Sequence, residues 1–352
     1  MSKSPGRVGS APRGRSSKGG LAVKTVIACS VALLVLFAWT SPPAAVEDLG
    51  LITGGEKGTY YQFGLDLQKL VKPAGINLNV FPSKGSIENV YAVYQRPGVP
   101  MGIVQSDVLA FVSRVQSDPV LKQIARKTKM VFPLYNEEIH LLGKKGIADF
   151  DDLAGRRVAV GRDGSGTYLT ARLLFKLSEV APSEMVPIDT GEALAELKAG
   201  RIDAMFYVAG YPVKLLKEDV TDKDGLELIP IMNKSVLEFY PQAEIPAGTY
   251  PWQTAAINTA AVKAVLVSFD FRRRDCDNIG RFAQLVSRGL DSLQKNGHAK
   301  WKVVDLNYPL RGWEQYDCVR KFLGKAAPAT SAPGQRSTQN PVFDAIKGAL
   351  DQ

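Results

Sequence analysis

A repeated strand–turn–helix unit, with glycine in most of the turns, is the feature of this sequence that most constrains its fold. Short apolar runs at 49–53, 76–81 and 101–104 each lead through a polar turn towards a helical pattern. A second series of the same kind extends from 157 to 208. Because parallel strands need a crossover connection, usually a helix, this repetition predicts α/β layers with parallel strands.

Two long extended stretches interrupt the repetition. Residues 130–142 and 259–269 are largely apolar runs that read as extended chain. They predict a chain that crosses from one α/β lobe to a second lobe and back. We therefore expect a discontinuous lobe 1 over 46–137 plus 255–324, and a lobe 2 over 138–254. One large doubly wound sheet is the alternative. Such a sheet would need fewer extended crossings than the two that the sequence indicates.

The two ends of the chain differ from this body. Residues 1–45 contain six basic residues and no acidic residue, and they include an apolar run at 26–39 that is followed by small residues. This is the form of an export signal, and the run is shorter than the roughly 18 residues of a membrane span. We predict a signal peptide, with an uncleaved membrane anchor as the alternative. Residues 325–352 predict a flexible linker and a short tail helix.

The charge distribution argues against a nucleic-acid partner. Of the 44 Lys and Arg residues, six lie in the leader, which leaves 38 against 35 Asp and Glu residues, a net charge of +3. The body has no basic stripe with interleaved aromatic residues. We expect contact with a membrane only through the N-terminal segment, if that segment is uncleaved.

The cysteines and histidines predict neither a metal site nor a cofactor. Cys276 and Cys318 lie in the exported part, where an oxidising compartment favours a disulfide between them; two buried free thiols are the alternative. His140 and His298 are isolated from other ligands at metal-binding spacing. Glu138 and His140 share one face of a predicted strand, either lining a cleft or forming a structural pair.

Four turns share a design that suits an anion: 53–60, 83–86, 105–107 and 161–167. Glycine allows the backbone to approach a ligand closely, and a helix N-terminus presents unpaired N–H groups with a partial positive charge. Ser86 is expected to cap its helix. In an open α/β sheet such turns lie together at the carboxyl ends of the strands. The sequence therefore predicts a ligand-binding cleft.

The motifs do not support an enzyme. The stretch around Ser165 lacks the spacing of a nucleophile elbow, and no phosphate-binding loop of the nucleotide hydrolases occurs. No catalytic residues and no set of nucleophile, base and orienting group can be assembled from the sequence. An enzyme on the same fold remains the alternative.

Taken together, these stretches resemble the TAXI family of solute-binding proteins, the periplasmic receptors of TRAP (tripartite ATP-independent periplasmic) transporters. The matching motifs run in order over residues 49 to 270: TGGEKGTYY from 53, GSIEN from 85, GIVQSD from 102, PLYNEE from 133, DLAGRRVAVG from 152, GSGT from 164, GRIDA from 200 and IPAGTY from 245. Glu56 and Lys57 depart from the small or polar residues that are more usual there.

The resemblance implies a fold like that of the type II periplasmic binding proteins, with two α/β lobes around a hinged cleft. It further implies a monomeric periplasmic receptor that binds a small organic acid, such as a dicarboxylate or an acidic amino acid, and delivers it to a TRAP-type permease. The ligand-binding residues that it implies are Gly55, Thr59, Tyr60, Ser86, Asn89, Gln105, Ser106, Ser165, Gly166, Thr167 and Tyr207.

Overall fold

The computed structural model of the protein describes residues 47–108, 123–124, 126–270, 275–310 and 312–324. The predicted signal peptide or anchor, the linker and the tail helix lie outside the described residues, as does most of the helix expected after Asp107. Within the described ranges, no helix combines the length and the apolar character that crossing a bilayer requires.

The first α/β series forms as its hydrophobic spacing predicts. Apolar residues at helical spacing, among them Phe63 and Leu67, give the first helix a buried face. The elements are β1 (Glu47–Ile52), α1 (Thr59–Val71), β2 (Ile76–Phe81), α2 (Ser86–Gln95) and β3 (Met101–Gln105). β1 pairs in parallel with both β2 and β3, so the turns that follow these strands lie at one edge.

Two long strands, β4 (Thr128–Lys144) and β10 (Ile257–Phe269), pair antiparallel along most of their length. Both are buried almost throughout, which explains why their sequences read as continuous apolar runs and not as alternating patterns. These strands are the extended segments that the sequence predicts between the two α/β series.

The second series lies on the other side of these long strands. It comprises β5 (Arg157–Ala159), α3 (Gly166–Ser178), β6 (Glu184–Val186), α4 (Thr190–Lys198), β7 (Ala204–Ala209), α5 (Lys214–Asp219), β8 (Leu226–Leu228), α6 (Lys234–Leu237) and β9 (Gln242–Ile245). After β10 the chain adds α7 (Cys276–Arg288), α8 (Leu290–Asn296) and α9 (Asp317–Phe322), which complete the described part of the chain.

The strands join in one hydrogen-bonded order, β2-β1-β3-β10-β4-β7-β5-β6, with β8 added on β4 and β9 on β10. The core is nevertheless divided. Alternate residues of β3 enter separate clusters on its two faces, as Ile103 and Val104 do, and alternate residues of β7, such as Met205 and Phe206, enter two further clusters. This mixed sheet, with β10 antiparallel between β3 and β4, is the α/β fold of the type II periplasmic-binding class. The predicted lobe limits remain a prediction.

A disulfide joins the start of α7 to α9. Cys276 and Cys318 are bonded across a sequence separation of 42 residues, with their Cα atoms 5.3 Å apart. The bridge ties the C-terminal helix of the described chain to the helix that packs on the first α/β series.

Candidate functional site

A cavity of about 350 Å³ lies where the carboxyl ends of the parallel strands from both series meet. The turns after β1, β2, β5 and β6 form its walls, together with the ends of β3 and β7 and one residue of β4. Its lining comprises Gly54–Tyr60, Ser83–Ser86, Gln105, Glu137, Arg162, Ser165–Thr167, Asp189–Gly191, Tyr207–Ala209 and Leu215.

The structure brings nine of the eleven predicted ligand-binding residues to this cavity. They are Gly55, Thr59, Tyr60, Ser86, Gln105, Ser165, Gly166, Thr167 and Tyr207. The other two, Asn89 and Ser106, do not line it.

Asn89 is fully buried behind the cavity wall, contrary to its expected role as a ligand. Its side-chain amide donates to the carbonyl oxygens of Thr53 and Ile103, and its Oδ1 accepts a hydrogen bond from Ser83 Oγ at 2.6 Å. These three hydrogen bonds hold the ends of β1 and β3 and the turn after β2 together.

Ser106 and the cap of α2 also differ from expectation. Ser106 Oγ accepts a hydrogen bond from the backbone N–H of Lys263 at 3.2 Å, which fixes it against β10. The N-cap of α2 is Gly85, with φ of 124°, and not Ser86. Because the cap adopts this backbone conformation, Ser86 becomes the first helical residue, and its hydroxyl accepts from the backbone N–H of Gln105 at 3.1 Å.

The turn before α3 is capped in the expected manner. Ser165 Oγ accepts a hydrogen bond from the backbone N–H of Tyr168 at 3.1 Å, while the preceding N–H groups of Gly166 and Thr167 have no partner within the helix. The first turns of α1 and α3 contain no acidic residue, so their partial positive charge is not neutralised.

Gly166 is the point at which the turns of the two series touch. A Cβ atom on this residue would overlap with Gln105 Oε1 and would lie 2.8 Å from Ser86 Oγ. A Cβ on Gly85 would lie 3.5 Å from the backbone nitrogen of Gly166. A Cβ on Gly55, by contrast, would meet nothing within 4 Å. Close approach of these turns therefore requires glycine at 166.

Several hydroxyl groups predicted as ligands are already engaged within the protein. Thr59 Oγ1 donates to the carbonyl oxygen of Gly210 at 2.5 Å, and Thr167 Oγ1 accepts from the backbone N–H of Val208 at 3.1 Å. These bonds place the start of α1 and the start of α3 against the end of β7. The O–H of Thr59 is thus used within the protein, whereas Thr167 keeps its own O–H as a donor.

Glu137 is a buried acid of the cavity that the sequence did not predict as a ligand-binding residue. It lies on β4, is 1% exposed, and accepts a hydrogen bond from Tyr60 Oη at 2.6 Å. Burial raises the pKa of Glu137 well above its ordinary value. In the part of the chain that the structure describes, no basic side chain forms an ion pair with it. A Glu within a buried apolar strand was the sequence signal that could have identified it.

Arg162 and Asp189 add opposite charges to the second half of the cavity. Their side chains approach to 3.9 Å, and Arg162 Nε is buried without a hydrogen-bond partner. Lys57 also lines the cavity but pairs with Asp219 at 2.5 Å across its mouth, with both side chains partly exposed. The lining therefore presents both signs of charge.

A second set of contacts holds the segment after β7, which contains Tyr211 and Pro212, in place. Lys300 Nζ pairs with Glu138 Oε1 at 2.6 Å and lies 3.6 Å from the centre of the Tyr211 ring. The Nε2 atom of His298 lies 3.1 Å from the carbonyl oxygen of Pro212. These residues belong to segments that the sequence assigns to different lobes, so the contacts join the two α/β series beside the cavity.

Glu138 and His140 form part of this structural framework and do not line the cavity. The Nδ1 of His140 lies 2.9 Å from the carbonyl oxygen of Glu138, and its Nε2 lies 2.7 Å from Tyr250 Oη. Burial lowers the pKa of His140 to about 4. A neutral ring with the proton on Nδ1 and an accepting Nε2 satisfies both contacts. Of the two interpretations of this pair, the structure therefore favours the structural one.

Within the residues that the structure describes, no group of three or more His, Cys, Asp or Glu side chains is arranged to hold a metal ion.

Comparison with known proteins places this geometry in a family. The model of the NMT1-like family matches residues 51–272, more than half of the 352-residue chain. The chain belongs to the NMT1-like family. Membership supports a solute-binding protein on a fold of the type II periplasmic-binding class.

Two solved structures show the extent of structural likeness to this NMT1-like protein. MatC from Rhodopseudomonas palustris with bound malate is 16% identical, with a TM-score of 0.48 over 87% of this chain and 97% of that one. A periplasmic binding protein of an arginine transport system from Legionella pneumophila is 11% identical, with a TM-score of 0.43 over 69% and 93% of the two chains.

Proposed function

We propose that the protein is an exported solute-binding receptor that captures a small organic acid, a dicarboxylate or an acidic amino acid, and delivers it to a TRAP-type membrane permease. It acts in the periplasm as a monomer, released from its leader or anchored by it, and it catalyses no reaction. Membership of the NMT1-like family supports the receptor role. The resemblance of the ordered motifs to the TAXI family supports the permease and the class of ligand.

The observation that carries the proposal is the meeting of three helix starts at one small cavity. The N-termini of α1, α2 and α3 approach it from both α/β series, with the buried Arg162 Nε beside them. Unpaired backbone N–H groups and helix dipoles stabilise a carboxylate. A volume of about 350 Å³ is at the lower end of ligand pockets, which favours a small solute.

Capture takes place by closure of the two lobes over the ligand. The contact between Gly166 and the Ser86–Gln105 wall joins residues that the predicted lobe limits assign to opposite sides. A ligand held by both walls would bind the closed form more tightly than an open one, and this difference is what can drive closure.

The test is a thermal-unfolding screen of the purified protein with succinate, malate, glutarate, aspartate and glutamate. Any acid that binds the folded state raises its stability by RT ln(1 + [L]/Kd), about 2.7 kcal/mol at a hundredfold excess over Kd. The absence of a shift with every acid at millimolar concentration would contradict the proposal.

A pair of alanine substitutions tests the place of binding. Gly166→Ala inserts a methyl group into the contact between the walls, and overpacking of this kind costs about 1–3 kcal/mol. It should therefore weaken binding of the best acid by roughly 5- to 150-fold. Gly280→Ala, which inserts a methyl group against Phe322 outside the cavity lining, is the matched control and should change the affinity little. Equal affinities for the two variants would place the ligand elsewhere.

A further inference from the structure

Glu137 presents a buried carboxyl group to the cavity without a countercharge. Tyr60 Oη donates to it at 2.6 Å, and the side-chain amide of Gln105 also favours its ionised form. Both groups are neutral, and no described basic side chain lies within ion-pairing distance of Glu137. Its surroundings thus provide the hydrogen-bond donors that a carboxylate needs, but not the cation.

The neighbouring residue, Glu138, is a buried acid that does have a countercharge. Glu138 points to the opposite face of β4, away from the cavity, where it pairs with Lys300 at 2.6 Å. Both of these side chains are nearly inaccessible, at 5% and 4% exposure. Glu137 is equally buried, but it lines the ligand cavity. A cation for it can come from the ligand.

We infer that Glu137 is the specificity-determining residue of this cavity, and that its carboxylate pairs with a positively charged nitrogen of the ligand. The helix starts that provide N–H groups for a carboxylate of the same molecule lie beside Glu137, since its partner Tyr60 is in the first turn of α1 and Gln105 lies against Gly166 at the start of α3. The preferred ligands are therefore organic acids that also carry an amino group. This inference rests on the proposed function and narrows it, because dicarboxylates without an amino group leave Glu137 unpaired.

Binding of a ligand with an ammonium group should also release a proton from Glu137. Burial raises the pKa of Glu137 and thus favours its protonated carboxyl group before a ligand binds. The ligand arrives as an ammonium ion, the O–H bond of the carboxyl group breaks, its electron pair stays on the carboxylate, and the proton passes to the solvent.

Other titratable and charged groups act on this step from each element around Glu137. Asp107 and Glu138 favour the protonated form of Glu137, Tyr60 and Gln105 favour the ionised form, and Tyr207 and Lys300 are close enough to feel its charge. Lys300 is already paired with Glu138, and Tyr60 and Tyr207 have raised pKa values, so they remain neutral. Near neutral pH, Glu137 is therefore the cavity group that changes its charge on binding.

The experiment is isothermal titration calorimetry on the full-length protein with two matched pairs of probes, L-glutamate with glutarate and L-aspartate with succinate. Each pair has the same carbon chain and differs by the amino group. Removal of one member of a buried charge pair costs at least about 2 kcal/mol. The better-bound amino acid should therefore bind about 30-fold more tightly than the diacid with the same carbon chain. Titrations at pH 7 in phosphate and in Tris should show the release of about one proton per ligand.

The variants separate specificity from general damage. Glu137→Gln keeps the size of the side chain and removes the charge, so it should abolish both the preference for the amino acid and the proton release. Glu238→Gln makes the same change at an exposed acid outside the cavity lining and should preserve both. Should the Gln variant at 137 fail to fold, the wild-type preference and proton count still decide the matter.

Each outcome has a distinct meaning. Equal affinities within both probe pairs, or a preference that survives in Glu137→Gln, would overturn the inference and leave the proposed function intact. No binding of any of the four acids would remove the proposed function and the inference with it.

Discussion

Substitution of Lys300 by Met tests whether the buried ion pair beside the cavity holds the two α/β series together. The ammonium group pairs with Glu138 at 2.6 Å, and the two side chains are only 4% and 5% exposed. Met keeps most of the side-chain volume and removes the charge. Glu138 then lacks its counterion in a site where burial already raises its pKa. Breaking a buried pair in this way costs about 3–5 kcal/mol of the free energy of unfolding.

Lys57 provides the matched control. It forms a single ion pair with Asp219, also between segments assigned to different lobes, but the side chains are 49% and 39% exposed. Solvent screens such a pair, and its loss in Lys57→Met should cost about 0–1 kcal/mol. Each lysine variant thus removes one ion pair between the two predicted lobes, and the two ion pairs differ mainly in burial.

The assay is equilibrium unfolding in urea, followed by circular dichroism and by tryptophan fluorescence at neutral pH. The double variant Lys300→Met/Glu138→Gln removes both charges and should recover most of the loss, because no unpaired carboxylate is then buried. A loss below about 1 kcal/mol in Lys300→Met, or equal losses in the two lysine variants, would refute the reasoning that burial decides the strength of this pair.

Two further predictions concern stability. Replacement of Cys276 and Cys318 by Ser opens a link that spans 42 residues. In the chain-entropy model this lowers the free energy of unfolding by about 4 kcal/mol, measured by urea unfolding without reductant; a loss under about 1 kcal/mol would contradict the model. The pKa of His140 is lowered by burial to about 4, below the unfolded value near 6.5, so the unfolded state binds the proton first as the pH falls. Between pH 7.5 and 4.5 this group should reduce stability by about 2.5 kcal/mol, and His140→Gln should lack that part of the decline; parallel pH profiles for the variant and the wild type would show that His140 does not titrate in this way.

The regular elements of the fold could be predicted because their signals are local. The strand at 76–81 occupies the range that the sequence indicates, and a helix follows the turn at 53–60 as expected. Turn glycines separate these patterns clearly. The two long strands were also recognisable as extended segments, although their burial on both faces removed the alternation that would show which side chains point to the cavity.

The side chains of the site were less predictable, since their roles depend on distant partners. Asn89 lies on the helix that the sequence indicates, yet its amide bonds the carbonyl oxygens of residues that are 36 and 14 positions away. Glu137 and Glu138 are adjacent in sequence, but one faces the cavity and the other faces a lysine 162 residues further along the chain. No local pattern distinguishes them. In a strand that is buried on both faces, the environment of each polar side chain depends on the segments that pack against it.

The sequence by itself thus determined the repeated α/β units, the extended segments between them and the glycine turns before the helices, because periodicity and backbone conformation act over a few residues. Only the tertiary structure decided which turns meet at the cavity, why Gly166 has no room for a side chain, and which buried acid lines the cavity. These properties arise from the approach of segments that are far apart in the chain, where packing and desolvation assign each polar group its partner.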